Sequence, residues 1–245
     1  LWVGWPGIGS DEMETSAWEP LKESLEKNRY APVSLTTKEV DEFYYGLPNK
    51  CLWPLFHYFI EYSIFNKSHW DTYVEINRKF SNEVIALLEP GDTVWVQDYQ
   101  LMLCPQMIKE ACPGVTIGFF LHIPFPSFEI FRIFPWREAL LKGVLGSDLI
   151  GFHTYDYERH FISSVKRILR LNVSFNRVSV GSREVVVDTF PMGIDYEKFE
   201  SAASAHLQHG DTEKSELKNQ LEVHKKSSEN SKLILSIDRL DYTKG

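Results

Sequence analysis

Short hydrophobic runs alternate along this chain with longer stretches in which hydrophobic residues recur every three or four positions. The runs have the length of buried β-strands, and the stretches have the spacing of amphipathic helices. The predicted strands lie at residues 1–5, 31–35, 93–97, 115–121, 147–152, 184–190 and 233–237. The predicted helices lie at residues 17–25, 36–58 with a break at Pro48, 68–88, 101–111 and 137–145, and a long helix after Thr154 has hydrophobic residues on one face from Phe161 to Leu169. This alternation, with short connections, predicts an α/β fold with a doubly wound parallel sheet of the Rossmann-like kind.

The pattern changes after the turn at residues 191–195. Residues 201–231 are polar, charged and free of aromatic side chains, and helical spacing recurs there only at Leu217 and Leu221. A segment of this composition cannot bury a hydrophobic face of its own. We therefore predict a linker and a solvated helix in this part of the chain.

Three parts of the chain follow from these patterns. They are a Rossmann-like domain at 1–195, the linker and solvated helix at 196–231, and a last segment at 232–245 that opens on a new buried strand. Both ends look cut from a longer protein, since the chain opens on the apolar Leu1 and stops just after a hydrophobic strand.

Composition narrows the class of protein. The chain has 245 residues, of which 43% are hydrophobic, and a formal net charge of -8. That acidic balance argues against nonspecific binding of nucleic acid, which needs a basic surface. The three cysteines form no C-x-x-C pair, which is typical of a reduced chain, so we expect a cytoplasmic location. No hydrophobic run reaches the length of a membrane span, and no signal peptide is evident, so no membrane partner is predicted.

A histidine stands where one of the buried strands should end. His122 follows the hydrophobic run at 115–121, and Pro124 and Pro126 follow it, each of which fixes φ and lacks an N–H. Ser127 is placed to cap a new helix. In open α/β sheets the carboxyl edge of the strands is where ligands bind. On position alone, His122 is either a site residue at that edge or a core histidine bonded to the backbone.

Asp98 holds the same kind of place on the preceding strand, since it directly follows the run at 93–97. It either faces a ligand or caps the helix that comes next. The carboxyl ends of neighbouring parallel strands meet at one edge of a sheet. Asp98 and His122 would therefore face one crevice.

Two further pairs of residues suit a sugar or phosphate ligand. Tyr44 and Trp53 flank the break at Pro48, and aromatic faces suit the C–H faces of sugar rings, whereas most other aromatics should be core. Arg239 and Lys244 follow the strand at 233–237 and suit a nucleotide diphosphate. Two solvated surface cations are the alternative for this second pair.

Several familiar motifs are missing. The glycine-rich turn at residues 4–10 has the order G-x-x-G-x-G rather than G-x-G-x-x-G, which disfavours a nucleotide-dependent oxidoreductase. The sequence has no Walker A motif, no G-x-S-x-G elbow and no zinc or magnesium pattern. His153 and His160 have no third ligand in register. We therefore predict no metal site and no cofactor.

Seven stretches spread along the whole chain together resemble the trehalose-6-phosphate synthases, retaining GT-B glycosyltransferases of family 20. The matching stretches, in family order, are 2–5, 44–58, 94–102, 118–126, 148–157, 190–195 and 239–245. The resemblance implies transfer of glucose from UDP-glucose to glucose 6-phosphate, which gives α,α-trehalose 6-phosphate and UDP without a metal. It also makes 1–195 the acceptor-binding domain and 232–245 the start of the donor domain.

The resemblance also assigns roles to the candidate residues. It implies that His122 lies at the reacting centre near the donor glucose and that Asp98 binds acceptor hydroxyls. It places Tyr44 and Trp53 against the acceptor sugar phosphate. The implied ligands of the donor diphosphate are Arg239 and Lys244.

Some features depart from the family pattern. Gln97 stands where the family usually has histidine, and Pro48 stands where serine or cysteine is commoner. The family's first strand, with its glycine-rich loop and phosphate-binding arginine, would precede Leu1, and most of the donor domain would follow Gly245. We therefore expect residues 1–245 alone to be inactive.

Two open questions concern function and assembly. The alternative function is a sugar-phosphate-sensing or regulatory subunit that keeps the fold without turnover. A homo-oligomer, or a complex of trehalose-phosphate synthase and phosphatase, is the expected assembly.

Overall fold

A computed structural model describes residues 1–208 and 236–244 of the chain. The chain divides into two compact units, Leu1–Pro191 and Met192–Gly245. The strands of the first unit are β1 (Trp2–Gly4), β2 (Tyr30–Pro32), β3 (Thr93–Gln97), β4 (Thr116–Phe120), β5 (Leu149–Phe152), β6 (Val173–Ser174), β7 (Arg177–Val180) and β8 (Arg183–Thr189). Its α-helices are α1 (Thr15–Lys27), α2 (Thr37–Phe43), α3 (Trp53–Phe56), α4 (Lys67–Leu87), α5 (Cys104–Ala111), α6 (Phe128–Phe131), α7 (Arg137–Val144) and α8 (Tyr155–Ser164).

A six-stranded sheet in the order β3-β4-β5-β8-β7-β6 forms the centre of the first unit. Strands β3, β4, β5 and β8 are parallel, which confirms the predicted α/β fold of Rossmann-like type. Strands β7 and β6 are antiparallel and were not predicted, because their runs of four and two residues are too short to stand out. Gly181 permits the tight turn between β7 and β8 with a φ of 59°.

The first two strands form a separate parallel pair, β1 with β2, instead of joining the larger sheet. A groove of about 290 Å³ is lined by residues Leu1, Trp2 and Val3 on one side and by all of β3 on the other. The free edge of β3 therefore faces this groove. The sequence had predicted a single sheet.

Aromatic packing fixes the segment that follows β4. Phe125, between the two prolines, is fully buried. Its ring lies 5.4 Å from Phe56 of α3, 4.9 Å from Phe131 of α6 and 5.3 Å from Phe161 of α8. This segment, residues 124–126, forms an elbow that is therefore held by contacts with three helices as well as by its prolines. Ser127 occupies the N-cap position of α6, but its side chain makes no capping hydrogen bond.

Helical turns of other kinds extend two of the helices. A π-helical turn, Pro48–Leu52, runs directly into α3, and another, Val165–Leu169, follows α8. A 3₁₀ turn spans Ile60–Tyr62. The break predicted at Pro48 is thus a change of helix type, with Pro48 buried at the first position. None of the described helices combines the length and the hydropathy that crossing a membrane requires.

The second unit contributes one helix and one turn to the described part of the chain. Helix α9 spans Tyr196–Gln208, and a 3₁₀ turn spans Tyr242–Lys244. The predicted strand at 233–237 lies mostly outside the described residues, and its last two positions, Ser236 and Ile237, are not in a strand. The predicted helical positions Leu217 and Leu221 also lie outside the described residues.

Candidate active site

The carboxyl end of β3 places Asp98 beside the neighbouring strand. In the register of β3 with β4, Gln97 lies opposite Phe120, and the backbone N–H of Asp98 donates to the Phe120 carbonyl at 2.8 Å. Asp98 has a φ of 67°, a left-handed conformation that is uncommon outside glycine. Its Oδ1 accepts hydrogen bonds from the backbone N–H groups of Tyr99 at 2.9 Å and His122 at 3.1 Å.

Asp98 is therefore not a helix cap. Helix α5 begins at Cys104, and its N-cap position is held by Leu103 without a side-chain hydrogen bond. The helix predicted at 101–111 starts later because the chain first turns at Asp98. The hydrogen bond that the Asp98 carboxylate accepts from the His122 backbone instead ties the end of β3 to the segment that follows β4, while the bond from Tyr99 is local to the turn.

His122 is exposed at the carboxyl end of β4, which makes the core-histidine alternative wrong. Its Nε2 lies 2.6 Å from Oε1 of Gln97. Its ring is tilted against Phe120, with centroids 4.8 Å apart. The structure therefore brings together the two strand-end residues, Asp98 and His122, as the sequence predicted. Their roles in binding or catalysis stay predictions.

A third strand end adds His153, which the sequence argument had considered only as a metal ligand. It follows β5, and its ring centroid lies 5.5 Å from that of His122 and 4.9 Å from that of Phe120. His160 does not join it, since its Nδ1 bonds the Phe125 carbonyl at 3.0 Å. The rule that singled out Asp98 and His122, a polar residue directly after a buried strand, would also have found His153.

Burial changes the charge balance of this cluster. Desolvation raises the pKa of the Asp98 carboxyl above its ordinary value, in spite of the two backbone hydrogen bonds that it accepts. Desolvation, followed by the nearby His122 imidazole, lowers the pKa of His153, although Asp98 acts in the opposite direction. A carboxylate and two imidazoles at one edge offer acceptors and donors that suit hydroxyl groups.

The two predicted aromatic residues lie at helix ends, Trp53 at the start of α3 and Tyr44 at the C-cap of α2. Trp53 begins α3, and its ring centroid lies 5.7 Å from that of Tyr99, the residue after Asp98. Tyr44 ends α2, and its ring lies 5.0 Å from Phe43 and 5.5 Å from Trp5. Both side chains are partly buried and pack against the core. Trp53 is thus connected to the Asp98 segment through Tyr99, whereas Tyr44 is held by a separate aromatic contact.

Arg239 and Lys244 belong to the second unit. Arg239 is exposed, and the backbone of Lys244 closes the 3₁₀ turn. In the same turn, Oδ1 of Asp241 accepts from the backbone N–H of Thr243 at 2.9 Å and from its hydroxyl at 2.8 Å. The proposed contact of Arg239 and Lys244 with a diphosphate stays a prediction.

No metal-binding cluster appears in the described part of the chain. Among residues 1–208 and 236–244, no group of three or more histidine, cysteine, aspartate or glutamate side chains is placed to hold a metal ion.

Comparison with known proteins gives one family for the whole chain. The sequence model of glycosyltransferase family 20 matches residues 1–245. The chain is 45% identical to the UDP-forming α,α-trehalose-phosphate synthase A of Dictyostelium discoideum, and the match covers 100% of this chain and 32% of that protein. The chain spans about a third to a half of the length of the curated relatives it matches.

Solved structures share the fold. A UDP-forming α,α-trehalose-phosphate synthase from Burkholderia xenovorans matches with a TM-score of 0.75 and 33% identity, over 87% of this chain and 46% of that one. A structure of such a synthase from the same organism in complex with glucose-6-phosphate matches with a TM-score of 0.68 and 26% identity, over 74% of this chain and 41% of that one.

Proposed function

We propose that this chain, which belongs to glycosyltransferase family 20, is part of an enzyme that transfers glucose from UDP-glucose to glucose 6-phosphate. The products are α,α-trehalose 6-phosphate and UDP. The names of the relatives support the reaction, and the observation that carries it here is the cluster of Asp98, His122 and His153 at three adjacent strand ends. Ligands of α/β proteins bind at this edge of the sheet.

Residues 1–195 would form most of the acceptor side in this proposal. The face of Trp53 and the hydroxyl of Tyr44 would receive the sugar phosphate, and the carboxylate of Asp98 would accept hydrogen bonds from its hydroxyls. The pKa of the Tyr44 hydroxyl is raised by desolvation, so it stays a neutral donor at physiological pH. The solved complex of a relative with glucose-6-phosphate supports this acceptor.

The donor side would use His122 and the second unit. His122 would lie against the donor glucose, while Arg239 and Lys244, after the linker at 196–231, would stabilise the charge of the leaving diphosphate. The bond from the anomeric carbon to the diphosphate oxygen breaks, and the acceptor oxygen bonds to the same face of that carbon. The leaving phosphate takes the proton of the acceptor hydroxyl, so no metal and no carboxylate nucleophile is needed.

The direct test uses the full-length protein that contains these residues. We expect UDP-glucose and glucose 6-phosphate to give UDP and trehalose 6-phosphate with the α,α configuration, measured by NMR of the product. Residues 1–245 alone should give none. Binding of glucose 6-phosphate without turnover would instead identify a sugar-phosphate sensor, and product from residues 1–245 would contradict the need for the rest of the protein. The cytoplasmic location and the oligomer or phosphatase complex stay predictions.

A further inference from the structure

We propose that Gln97 is a positioning residue that holds the imidazole of His122 in a single neutral tautomer. Gln97 is the last residue of β3 and lies beside the end of β4. Its side-chain Oε1 lies 2.6 Å from Nε2 of His122. An amide oxygen can only accept a hydrogen bond. The neutral imidazole therefore carries its proton on Nε2 and leaves a lone pair on Nδ1.

Within the described residues, the His122 ring makes its hydrogen bond with Gln97 and with no other side chain. The Asp98 carboxylate accepts from the backbone N–H of His122 and not from its ring. His153 and Phe120 approach the ring through their faces or edges, with centroids 5.5 Å and 4.8 Å away. Among the residues that the structure describes, none makes a hydrogen bond to Nδ1 of His122. That atom is therefore available to a ligand.

The identity of residue 97 decides what His122 can do. The family usually has histidine at this position, and an imidazole partner could either donate to Nε2 of His122 or accept from it. In the orientation that the structure shows, Gln97 presents only its amide oxygen to the ring, and it adds no group that titrates. On the proposed function, Nδ1 would then act as a fixed acceptor for a hydroxyl of the bound sugar.

The tautomer can be read directly by NMR. In ¹⁵N-labelled residues 1–245, long-range ¹H–¹⁵N correlations distinguish protonated from unprotonated ring nitrogens, and His122→Gln assigns the signals by their loss. At a pH where His122 is neutral, we expect a protonated Nε2 and an unprotonated Nδ1. Gln97→Leu should give signals averaged between both tautomers, while the matched control Gln100→Leu should keep the wild-type pattern. Protonation at Nδ1, or an unchanged pattern in Gln97→Leu, would overturn the proposal.

A second variant tests the contact if Gln97→Leu disturbs the strand. Gln97→Glu keeps an acceptor in place and adds a negative charge. An opposite charge within about 4–6 Å favours the imidazolium, so the titration midpoint of His122 should rise. The charged or titratable groups that already face His122 are Asp98 and His153, and both are unchanged between wild type and Gln97→Glu. An unchanged midpoint would show that the two side chains do not touch.

Turnover tests the part of the inference that rests on the proposed function. In the full-length protein, Gln97→Leu should lower kcat about tenfold, by analogy with the partners that orient metal-binding histidines, with little change in KM for glucose 6-phosphate. A rise in KM with kcat unchanged would contradict a positioning role. The NMR result needs no turnover, so it would stand if the reaction itself were assigned wrongly.

Discussion

The two ends of the parallel strands both carry charged side chains, but they place them in different surroundings. At the carboxyl edge, the Asp98 carboxylate accepts two backbone hydrogen bonds and faces two imidazoles. At the amino edge, the Asp148 carboxylate bonds Nζ of Lys109 at 2.9 Å and the backbone N–H of Ile117 at 2.7 Å. No lysine or arginine of the described first unit forms an ion pair with Asp98.

The amino edge is a closed network. Nζ of Lys109 is almost fully buried and also donates to the Val115 carbonyl. Arg183 lies 3.7 Å from Asp148 and donates to the Leu145 carbonyl at 3.0 Å. Each of these charges therefore has a protein partner that satisfies it.

The difference indicates which edge is built for stability and which for a ligand. A buried charge that meets an opposite charge holds the strand ends together. A desolvated carboxylate that pairs with no lysine or arginine of the described first unit, on a residue with a left-handed backbone conformation, is typical of a functional site. Pairing within the protein therefore separates structural charges from candidate site charges in this sheet.

The largest expected effect is on turnover at the carboxyl edge. On the proposed function, His122→Ala in the full-length protein should lower the rate of trehalose 6-phosphate formation about a thousandfold, since it would remove a polar group from the proposed reacting centre. The free energy of unfolding should change by less than about 0.5 kcal/mol, because the side chain is exposed. Product formation and urea unfolding measure the two effects. Near-normal turnover would remove His122 from the site.

The next effect is on stability at the amino edge. Asp148→Asn should lower the free energy of unfolding of residues 1–245 by about 1.5 kcal/mol in urea, because the buried Lys109 would lose its carboxylate partner, although Asp148 itself is 37% exposed and Lys109 keeps the Val115 carbonyl. Asp71→Asn is the matched control. It breaks the exposed pair with Lys67 and should cost less than about 0.5 kcal/mol. Equal losses of unfolding free energy in the two variants would mean that the burial of Lys109 is unimportant.

A smaller effect is expected at the elbow after His122. The Tyr58 hydroxyl accepts a hydrogen bond from the Ser127 backbone N–H at 2.8 Å. Tyr58→Phe should cost about 1 kcal/mol in urea unfolding, because that donor loses its partner. Hydrogen exchange of the Ser127 amide should become faster. Protection that stays the same would show that the elbow is held by Phe125 and the prolines alone.

The local pattern of the sequence was enough to predict which residues lie at strand ends, but it did not predict contacts between residues of different strands. Asp98 and His122 were located because each follows a short, mostly hydrophobic run of strand length, which the local sequence contains. The bond from Gln97 to His122 joins residues 25 positions apart and depends on register and rotamers, so no local pattern contains it. The pair Lys109–Asp148, 39 positions apart, was missed for the same reason.

The smallest effect has the opposite sign. The folded-state pKa of Asp98 lies above its unfolded value, so the folded state binds the proton more tightly. Its carboxylate therefore reduces stability as pH rises through the folded pKa, and this loss is absent below the unfolded pKa. Asp98→Asn should therefore be at least as stable as wild type at pH 7, with a change smaller than that of Tyr58→Phe, while on the proposed function turnover of the full-length variant falls. The stability difference between Asp98→Asn and wild type should shrink as pH falls from the folded to the unfolded pKa of Asp98. Urea unfolding at a series of pH values measures it.

The most direct test compares one substitution at both edges. Urea unfolding of residues 1–245 at pH 7 should show that Asp148→Asn is less stable than wild type and that Asp98→Asn is equally or more stable. If Asp98→Asn lost as much free energy of unfolding as Asp148→Asn, the Asp98 carboxylate would be a structural charge, and the distinction between the two edges would be wrong.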